Sequence, residues 1–253
     1  MSEQLHLVRL VFQDPLRLYR FARAQGLPAH PFDADYAVHC ALGRLFGEEA
    51  PQPFVQRRRG RATEVLAYAT ADGRSLEAAA RSYAPPEAWC LVDWEQFASK
   101  PMPARWPAGT RLGFETRVVP VVRGPRGHGV RGPVRTARPE VDAYLAAIWQ
   151  TEEPPAREDV YRRWLERELA RDGAAGLVAA RVEGFRLRRL LRRDGQRAAR
   201  TITRPEVWFR GTLVVRDGEA FAALLARGLG RHRAFGFGMV LLLPEGRGER
   251  ASR

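Results

Sequence analysis

The feature that most constrains this chain is the order in which its strand-like and helix-like segments follow one another. Alternating apolar residues predict strands, whereas apolar residues spaced three or four apart predict helices. Over residues 1–108 the predicted order is strand, helix, strand, strand, helix, strand. The segments, in that order, are LHLVRLVF (5–12), DYAVHCALGRLFGE (35–48), FVQRR (54–58), EVLAYAT (64–70), SLEAAARSYA (75–84) and AWCLVDW (88–94).

The same order returns after a proline-rich connector at 99–109, with one additional helix. A βαββαβ order is that of the ferredoxin-like arrangement, in which helices cover one face of a sheet. The sequence therefore predicts an α+β fold of two tandem ferredoxin-like domains, at 1–108 and 109–253. The segments of the second half are RLGFETRVVPVV (111–122), EVDAYLAAIWQ (140–150), REDVYRRWLERELARDG (157–173), strands within 177–193 and 207–217, GEAFAALLARG (218–228) and MVLLLP (239–244).

The chain carries a large excess of positive charge, almost all of it arginine. Lys and Arg number 42 against 29 Asp and Glu, which gives a net charge of +13, and Lys100 is the only lysine. A genome rich in G and C explains arginine in place of lysine, but it does not explain the excess over acidic residues. A compact chain with this charge is typical of proteins that bind polyanions, and tandem ferredoxin-like domains favour RNA.

The arginines concentrate in runs at predicted loops and strand ends, at 57–61, 123–138 and 186–193. Any single arginine in such a run is most often solvated surface, but together the runs indicate a surface that follows a phosphate backbone. The strands carry no aromatic RNA-recognition motif, so base stacking on a sheet face is not predicted. The candidate RNA contacts in these runs are Arg57, Arg58, Arg59, Arg123, Arg126, Arg131, Arg135 and Arg138.

The sequence shows no segment that would direct the chain to a membrane. It has no apolar stretch of about 18 residues, and its N-terminus lacks the pattern of a signal peptide. Cys40 and Cys90 fit a reducing compartment and do not form a metal site. We therefore expect a cytoplasmic protein without membrane contact, and with neither a metal nor a cofactor.

A second group of candidate binding residues lies in the glycine-rich segment GLGRHRAFGFG, at 228–238. Its glycines do not have the spacing of a dinucleotide-binding fingerprint, and no Lys-Ser or Lys-Thr follows them as in a P-loop. A helix C-cap followed by a turn remains an alternative, although a cap needs neither four glycines nor three basic residues. The residues predicted to face RNA are Gly228, Gly230, Arg231, His232, Arg233, Gly236 and Gly238.

The helix at 35–48 carries the best candidate for catalysis. His39 lies at the edge of the apolar stripe of this helix, and Tyr36 lies one turn earlier on the same side. In isolation such a histidine is more often structural than catalytic. Cys40 points about 100° away from His39 and cannot pair with it. We interpret Asp33 and Asp35 as helix-capping residues, with Asp35 at the N-cap, because no cluster of carboxylates suited to a two-metal nuclease is present.

Taken together, these motifs resemble a known family. The helix segment DADYAVHCALGRLFG, the tandem βαββαβ order and the loop GLGRHRAFGFGMVLLLP are similar to CasE, the CRISPR repeat-processing endoribonucleases of type I-E systems. The loop matches the family pattern at every glycine. The chain departs from shorter members of the family in the longer segment RFARAQGLPAHPF (20–32), which contains His30.

The resemblance implies a metal-independent endoribonuclease that cuts CRISPR precursor RNA within each repeat, 3′ of a hairpin. It implies that His39 is the catalytic histidine, that Tyr36 assists it, and that the basic residues of the glycine loop bind RNA. The 2′-hydroxyl would be the nucleophile, with a 2′,3′-cyclic phosphate as product, and His39 could act as base or acid. The implied partners are the repeat stem-loop and other subunits of the surveillance complex. A non-catalytic RNA-binding subunit of such a complex is the alternative.

Overall fold

A computed structural model of the chain describes residues 4–30, 32–124, 140–193 and 199–245. It contains two four-stranded antiparallel sheets and a small two-stranded one. The first large sheet is built from residues before 102, and the second from residues after 110. Among the described residues, no helix is long and apolar enough to cross a membrane.

The first sheet has the strand order β2-β3-β1-β4. Its two long strands, β1 and β3, pair from His6 opposite Ala69 to Phe12 opposite Thr63. The apolar residues of α2 pack against them, because they recur along one face of the helix and are almost all fully buried. The elements are β1 His6–Phe12, α1 Pro15–Ala24, α2 Ala34–Phe46, β2 Phe54–Arg59, β3 Ala62–Ala69, α3 Gly73–Tyr83, α4 Pro86–Trp89 and β4 Ala98–Pro101.

The predicted strand at 88–94 is wrong. Pro86 starts the short helix α4, and a 3-10 turn follows at Trp94–Gln96. The apolar residues of this stretch, such as Leu91, are buried in the core from irregular backbone, so their hydrophobicity alone did not indicate a strand. The fourth strand is β4 instead, which overlaps the start of the stretch predicted as a connector. It lies at the edge of the sheet, where a proline is tolerated.

The second sheet has the strand order β10-β5-β9-β8. The predicted strand over 111–122 is interrupted before Val121, and the predicted helix over 140–150 begins only at Ala143, because Glu140–Asp142 pairs with Val121–Arg123. β8 and β9 form a long hairpin with two register shifts. The elements are β5 Arg111–Val118, β6 Val121–Arg123, β7 Glu140–Asp142, α5 Ala143–Ile148, α6 Arg157–Leu169, β8 Ala175–Arg193, β9 Ala199–Val215, α7 Gly218–Arg227 and β10 Val240–Leu243.

Both large sheets have the strand order of a ferredoxin-like domain, in which the first and third strands are central. The predicted fold class is therefore confirmed. The two halves also pack against each other: the buried Tyr68 hydroxyl of β3 donates a hydrogen bond of 2.9 Å to the carbonyl of Val240 in β10. The division into domains at 1–108 and 109–253 stays a prediction.

Candidate active site

The N-terminus of α2 begins at a buried acidic pair. The Asp33 side chain accepts a hydrogen bond of 3.2 Å from the Tyr36 backbone N–H, so Asp33 is the N-cap. The predicted cap, Asp35, is wrong by two residues. It lies in the first turn of the helix and is completely buried, where a carboxylate requires charged partners.

Those partners come from the second sheet. Arg117 of β5 places Nη2 2.9 Å from Asp35 Oδ1, and Arg188 of β8 forms ion pairs with Asp35 and, at 3.0 Å, with Asp33. Glu206 of β9 lies 3.6 Å from Arg117 and 3.5 Å from Arg188. Burial raises the pKa of Asp33, and the charge of Arg188 opposes that rise. The network therefore attaches the first turn of α2 to three strands of the other half.

Arg117 also holds the glycine-rich loop. Its guanidinium donates to the Gly236 carbonyl at 2.8 Å and to the Phe235 carbonyl at 3.1 Å, and its Cζ lies 4.6 Å from the centre of the Phe237 ring. The same side chain thus contacts both α2, through Asp35, and the loop. Its side chain is 7% exposed, so these contacts are made away from water.

The loop and the candidate catalytic residues are in direct contact. The rings of Tyr36 and Phe235 stack with centroids 5.3 Å apart and an angle of 23° between their planes. The ring of His39 lies 5.7 Å from that of Tyr36. The structure therefore brings together Tyr36, His39 and the 3-10 turn Arg233–Phe235 of the loop, which the sequence placed on separate elements.

His39 is half-buried, as its position at the edge of the apolar stripe predicted. Its Nδ1 has no hydrogen-bond partner within the described part of the chain. Burial lowers the pKa of His39 below its ordinary value of 6.5, because the charged imidazolium loses hydration. At neutral pH the ring is therefore neutral and able to accept a proton.

The four loop glycines are explained by packing within the protein. All four have positive φ, from 64° at Gly230 to 85° at Gly238. A Cβ at Gly238 would lie 2.3 Å from the Leu229 carbonyl oxygen, and one at Gly230 would lie 2.9 Å from the Trp164 ring. Any other residue at these two positions would be strained and would clash with the protein itself.

Two of the three basic residues of the loop contact one acidic residue, Glu140, at the start of β7. Arg231 lies 2.6 Å and His232 2.9 Å from its carboxylate, and Arg204 of β9 lies 3.3 Å away. Hydrogen bonds from His232 and Arg231 hold the pKa of Glu140 far below its usual range. Arg233 donates instead to the Arg227 carbonyl, at 2.5 Å.

The loop's guanidinium groups remain accessible despite these bonds. Arg231 and Arg233 are exposed, whereas the His232 side chain is only 8% exposed. A cavity of about 600 Å³ lies beside them, lined in part by Arg227, Arg233 and Phe235. Phe235 therefore lines this basic cavity and also stacks on Tyr36 of the candidate catalytic pair.

The remaining predicted RNA contacts have varied surroundings. On β2, Arg57 forms an ion pair with Glu115, Arg59 lies 3.0 Å from Glu64, and Arg58 is exposed. Arg123 is exposed at the end of β6. Four predicted contacts lie outside the described residues: Arg126, Arg131, Arg135 and Arg138.

Three residues that organise the site were not predicted to do so: Arg117, Arg188 and Phe235. Arg188 belongs to the 186–193 run that was predicted to follow a phosphate backbone, but its side chain is only 15% exposed and pairs with Asp33 and Asp35 instead. Arg117 is a charged residue between Thr116 and Val118 in a predicted strand. This position indicates a specific role for the arginine, but it does not identify the residues that Arg117 contacts. Across the described ranges, no group of three or more His, Cys, Asp and Glu side chains is arranged to hold a metal ion.

Comparisons with known proteins identify a matching family and several similar structures. The model of a protein family described as "CRISPR associated protein" matches residues 7–244. The structure of CRISPR endoribonuclease Cse3 bound to 19 nt RNA is similar over 95% of this chain and 100% of that chain, with 22% identity and a TM-score of 0.60. Cas6e from Escherichia coli str. K-12 is similar over 94% and 99%, with 20% identity and a TM-score of 0.53.

A chain of a CRISPR RNA-guided surveillance complex in a pre-nicking state is also similar. The likeness covers 94% of this chain and 99% of that one, with 15% identity and a TM-score of 0.57. At these identities the structures establish a shared fold. No match is found among curated protein sequences.

Proposed function

This chain belongs to the CRISPR associated protein family, and from that premise we propose that it is an endoribonuclease that processes CRISPR RNA. It binds the stem-loop of a repeat in precursor RNA and cuts 3′ of the hairpin. The contact between Tyr36 and Phe235 carries this proposal, because it joins the helix of His39 to the arginine-bearing loop. The similar structure of Cse3 bound to RNA supports it.

The proposed reaction uses a nucleophile that RNA itself supplies. The ribose 2′-oxygen attacks the adjacent phosphorus, the bond from phosphorus to the 5′-oxygen breaks, and a 2′,3′-cyclic phosphate forms. His39 accepts the 2′-hydroxyl proton, since its lowered pKa leaves the ring neutral at pH 7. The leaving 5′-oxygen takes up a proton from water as it departs, and His39 returns the proton that it accepted to solvent. Tyr36 orients the ribose or the reacting phosphate beside His39.

Acid–base groups and positive charge are sufficient for this chemistry, so we propose that cleavage is independent of metal ions. Exposed arginines beside the site, Arg231 and Arg233, would attract the phosphate backbone. An RNA stem hides its base edges in a deep, narrow major groove, so recognition would depend mainly on shape and phosphate contacts.

We further propose that the protein stays bound to its product and joins other subunits of a type I-E surveillance complex in the cytoplasm. A chain of a surveillance complex with the same fold supports this proposal. The two sheets would act as separate ferredoxin-like domains, with α2 in domain 1–108 and the glycine loop in domain 109–253.

The decisive experiment is single-turnover cleavage of a cognate repeat transcript in excess chelator. The wild-type chain should cleave at one position, and His39→Ala should lose at least about a hundredfold in rate while binding the hairpin with nearly unchanged affinity. His30→Ala is the matched control, because His30 is exposed between α1 and α2. Binding without cleavage by the wild type would make the chain a non-catalytic subunit, and activity only with magnesium would overturn the metal-independent mechanism.

A further inference from the structure

A second basic cavity lies beside the glycine loop, between β6 and α6. Its volume is about 520 Å³, within the range of ligand-binding sites. Gly230 and Arg231 line both this cavity and the cavity that contains Phe235. The two cavities therefore adjoin through the loop, and together they extend from Phe235, which stacks on Tyr36, to α6.

The walls of this cavity contact one another. Trp164 of α6 is buried against it and donates from Nε1 to the Val121 carbonyl at 3.2 Å. Gly230 packs on the Trp164 ring so closely that a Cβ would lie 2.9 Å from it. The cavity is thus held between a strand, a helix and a loop that fix one another.

Four arginines and one glutamate line this cavity. The carboxylate belongs to Glu168, and its oxygens are already engaged: one lies 2.6 Å from Arg171, and the other accepts from the Gly230 backbone N–H at 3.1 Å. Arg231 has its own carboxylate partner in Glu140. The remaining two guanidiniums belong to Arg123 and Arg167.

Arg123 and Arg167 differ from their neighbours. Both are exposed, and neither has an ion-pair or hydrogen-bond partner within the residues that the structure describes. Exposed guanidinium groups that no carboxylate neutralises are suited to phosphate, which they bind through paired N–H donors. The positive charges of Arg123 and Arg167 are therefore available to a bound anion.

We propose that this cavity is a second phosphate-binding site for the RNA backbone, in which Arg123 and Arg167 each contact a phosphate. The inference rests on the proposed function for the identity of the RNA. With this site, the proposed RNA-binding surface includes residues of α6. The glycine loop then lies between two cavities that both contact the RNA backbone. Because the site is separate from His39, its phosphates contribute affinity and not chemistry.

The test is the double variant Arg123→Ala/Arg167→Ala, with Arg74→Ala/Arg105→Ala as the control. The control removes the same charge from exposed arginines on α3 and on the segment before β5. Filter binding of a repeat hairpin over a salt series should show the slope of log affinity against log salt reduced by about 2 in the test variant only, one for each phosphate contact. Circular dichroism checks that both variants fold.

Two further measurements separate this site from the active site. Single-turnover cleavage at saturating enzyme should fall less in the test variant than hairpin affinity does. Ethylation interference should lose its signal at a short run of phosphates away from the cleaved bond. If the wild type cleaves RNA and the test variant keeps the wild-type salt slope and interference pattern, the second phosphate site is wrong while the proposed nuclease function stands. A wild type that binds but never cleaves, with the slope still reduced in the variant, would overturn the proposed nuclease function and support the site.

Discussion

Arg117 Nη2 lies 2.9 Å from Asp35 Oδ1, although Arg117 belongs to β5 and Asp35 to α2 of the other half, and the two side chains are 7% and 0% exposed. The same guanidinium also donates to two carbonyls of the glycine loop. One buried arginine therefore fixes the distance between the helix of His39 and the loop that contacts it. Buried ion pairs of this kind gain little net stability, but loss of one partner leaves an uncompensated charge.

Removal of this charge should have a large effect on folding. Asp35→Asn removes one of the two carboxylates that Arg117 and Arg188 share, leaves Glu206 as the other, and should lower the free energy of unfolding by about 3 kcal/mol. Asp159→Asn removes an exposed carboxylate paired with Arg162 and should cost less than about 1 kcal/mol. Urea unfolding followed by circular dichroism measures both. Equal losses would show that the buried network does not hold the two halves together.

The stack between Tyr36 and Phe235 should affect the rate of cleavage more than RNA binding. Phe235→Ala removes the ring that supports Tyr36 and should slow single-turnover cleavage by about tenfold or more, because a small misplacement of a catalytic group is costly. Phe235→Tyr keeps the ring and should retain most of the activity. Hairpin affinity should change by less than the rate in both variants. A rate loss matched by an equal affinity loss would place Phe235 in RNA binding instead.

The element order was readable from the sequence because amphipathic periodicity is a local property. It identified β1, β2, β3 and α2 within a few residues, and it placed His39 at the boundary of a buried stripe. The stretch 88–94 was misread because its apolar residues are buried from irregular backbone. Periodicity reports that a side chain is buried, but not which backbone conformation buries it.

The site was predicted only in part, because its organisation depends on long-range partners. Tyr36 and His39 lie one turn apart, so helical spacing alone brings them together. Asp35 and Arg117 are far apart in the chain, and only the packing of α2 against the second sheet joins them. Asp35 was therefore assigned to helix capping, the commonest role of an acidic residue at the start of a helix. In the structure it forms ion pairs with Arg117 of β5 and Arg188 of β8 instead.

The acid–base behaviour of His39 gives a pH dependence with a definite sign. Burial lowers its pKa in the folded chain below 6.5, so the neutral base predominates until the pH falls below that lowered value. The cleavage rate should therefore rise with pH through a pKa below 6.5 and then level off. His39→Ala should lack this step. A rate that falls as pH rises over the same range would make His39 the general acid.

The same shift affects stability. On acidification the unfolded chain binds a proton at His39 first, so the contribution of the neutral ring is present above pH 6.5 and is lost as pH falls toward the folded pKa. Between pH 7 and 5, His39→Gln should therefore lose less stability than the wild type. Thermal unfolding at several pH values checks this sign.

Two glycines offer a matched test of backbone geometry. Gly238→Ala places a Cβ 2.3 Å from the Leu229 carbonyl at φ +85°, so it should destabilise the protein and displace the loop. Gly43 lies inside α2 with nothing within 4 Å of its Cβ position, and Gly43→Ala should stabilise the helix by about 0.5–1 kcal/mol. Thermal unfolding should show opposite signs for the two variants. Similar behaviour would mean that the loop has room for a side chain.

The glycine loop should bind RNA mainly through its exposed arginines. Arg231→Ala/Arg233→Ala should weaken hairpin binding and reduce the dependence of affinity on salt, because both guanidiniums face the cavity beside Phe235. Part of the effect of Arg231 is offset by its ion pair with Glu140, which RNA phosphates must compete against. The reduction in slope should therefore be smaller than for two unpaired arginines, between about 1 and 2. Cleavage at saturating enzyme should fall less than affinity does, since His39 lies on another element. If filter binding shows wild-type affinity and slope, the loop serves only to position Phe235 against Tyr36 and the RNA contacts lie elsewhere.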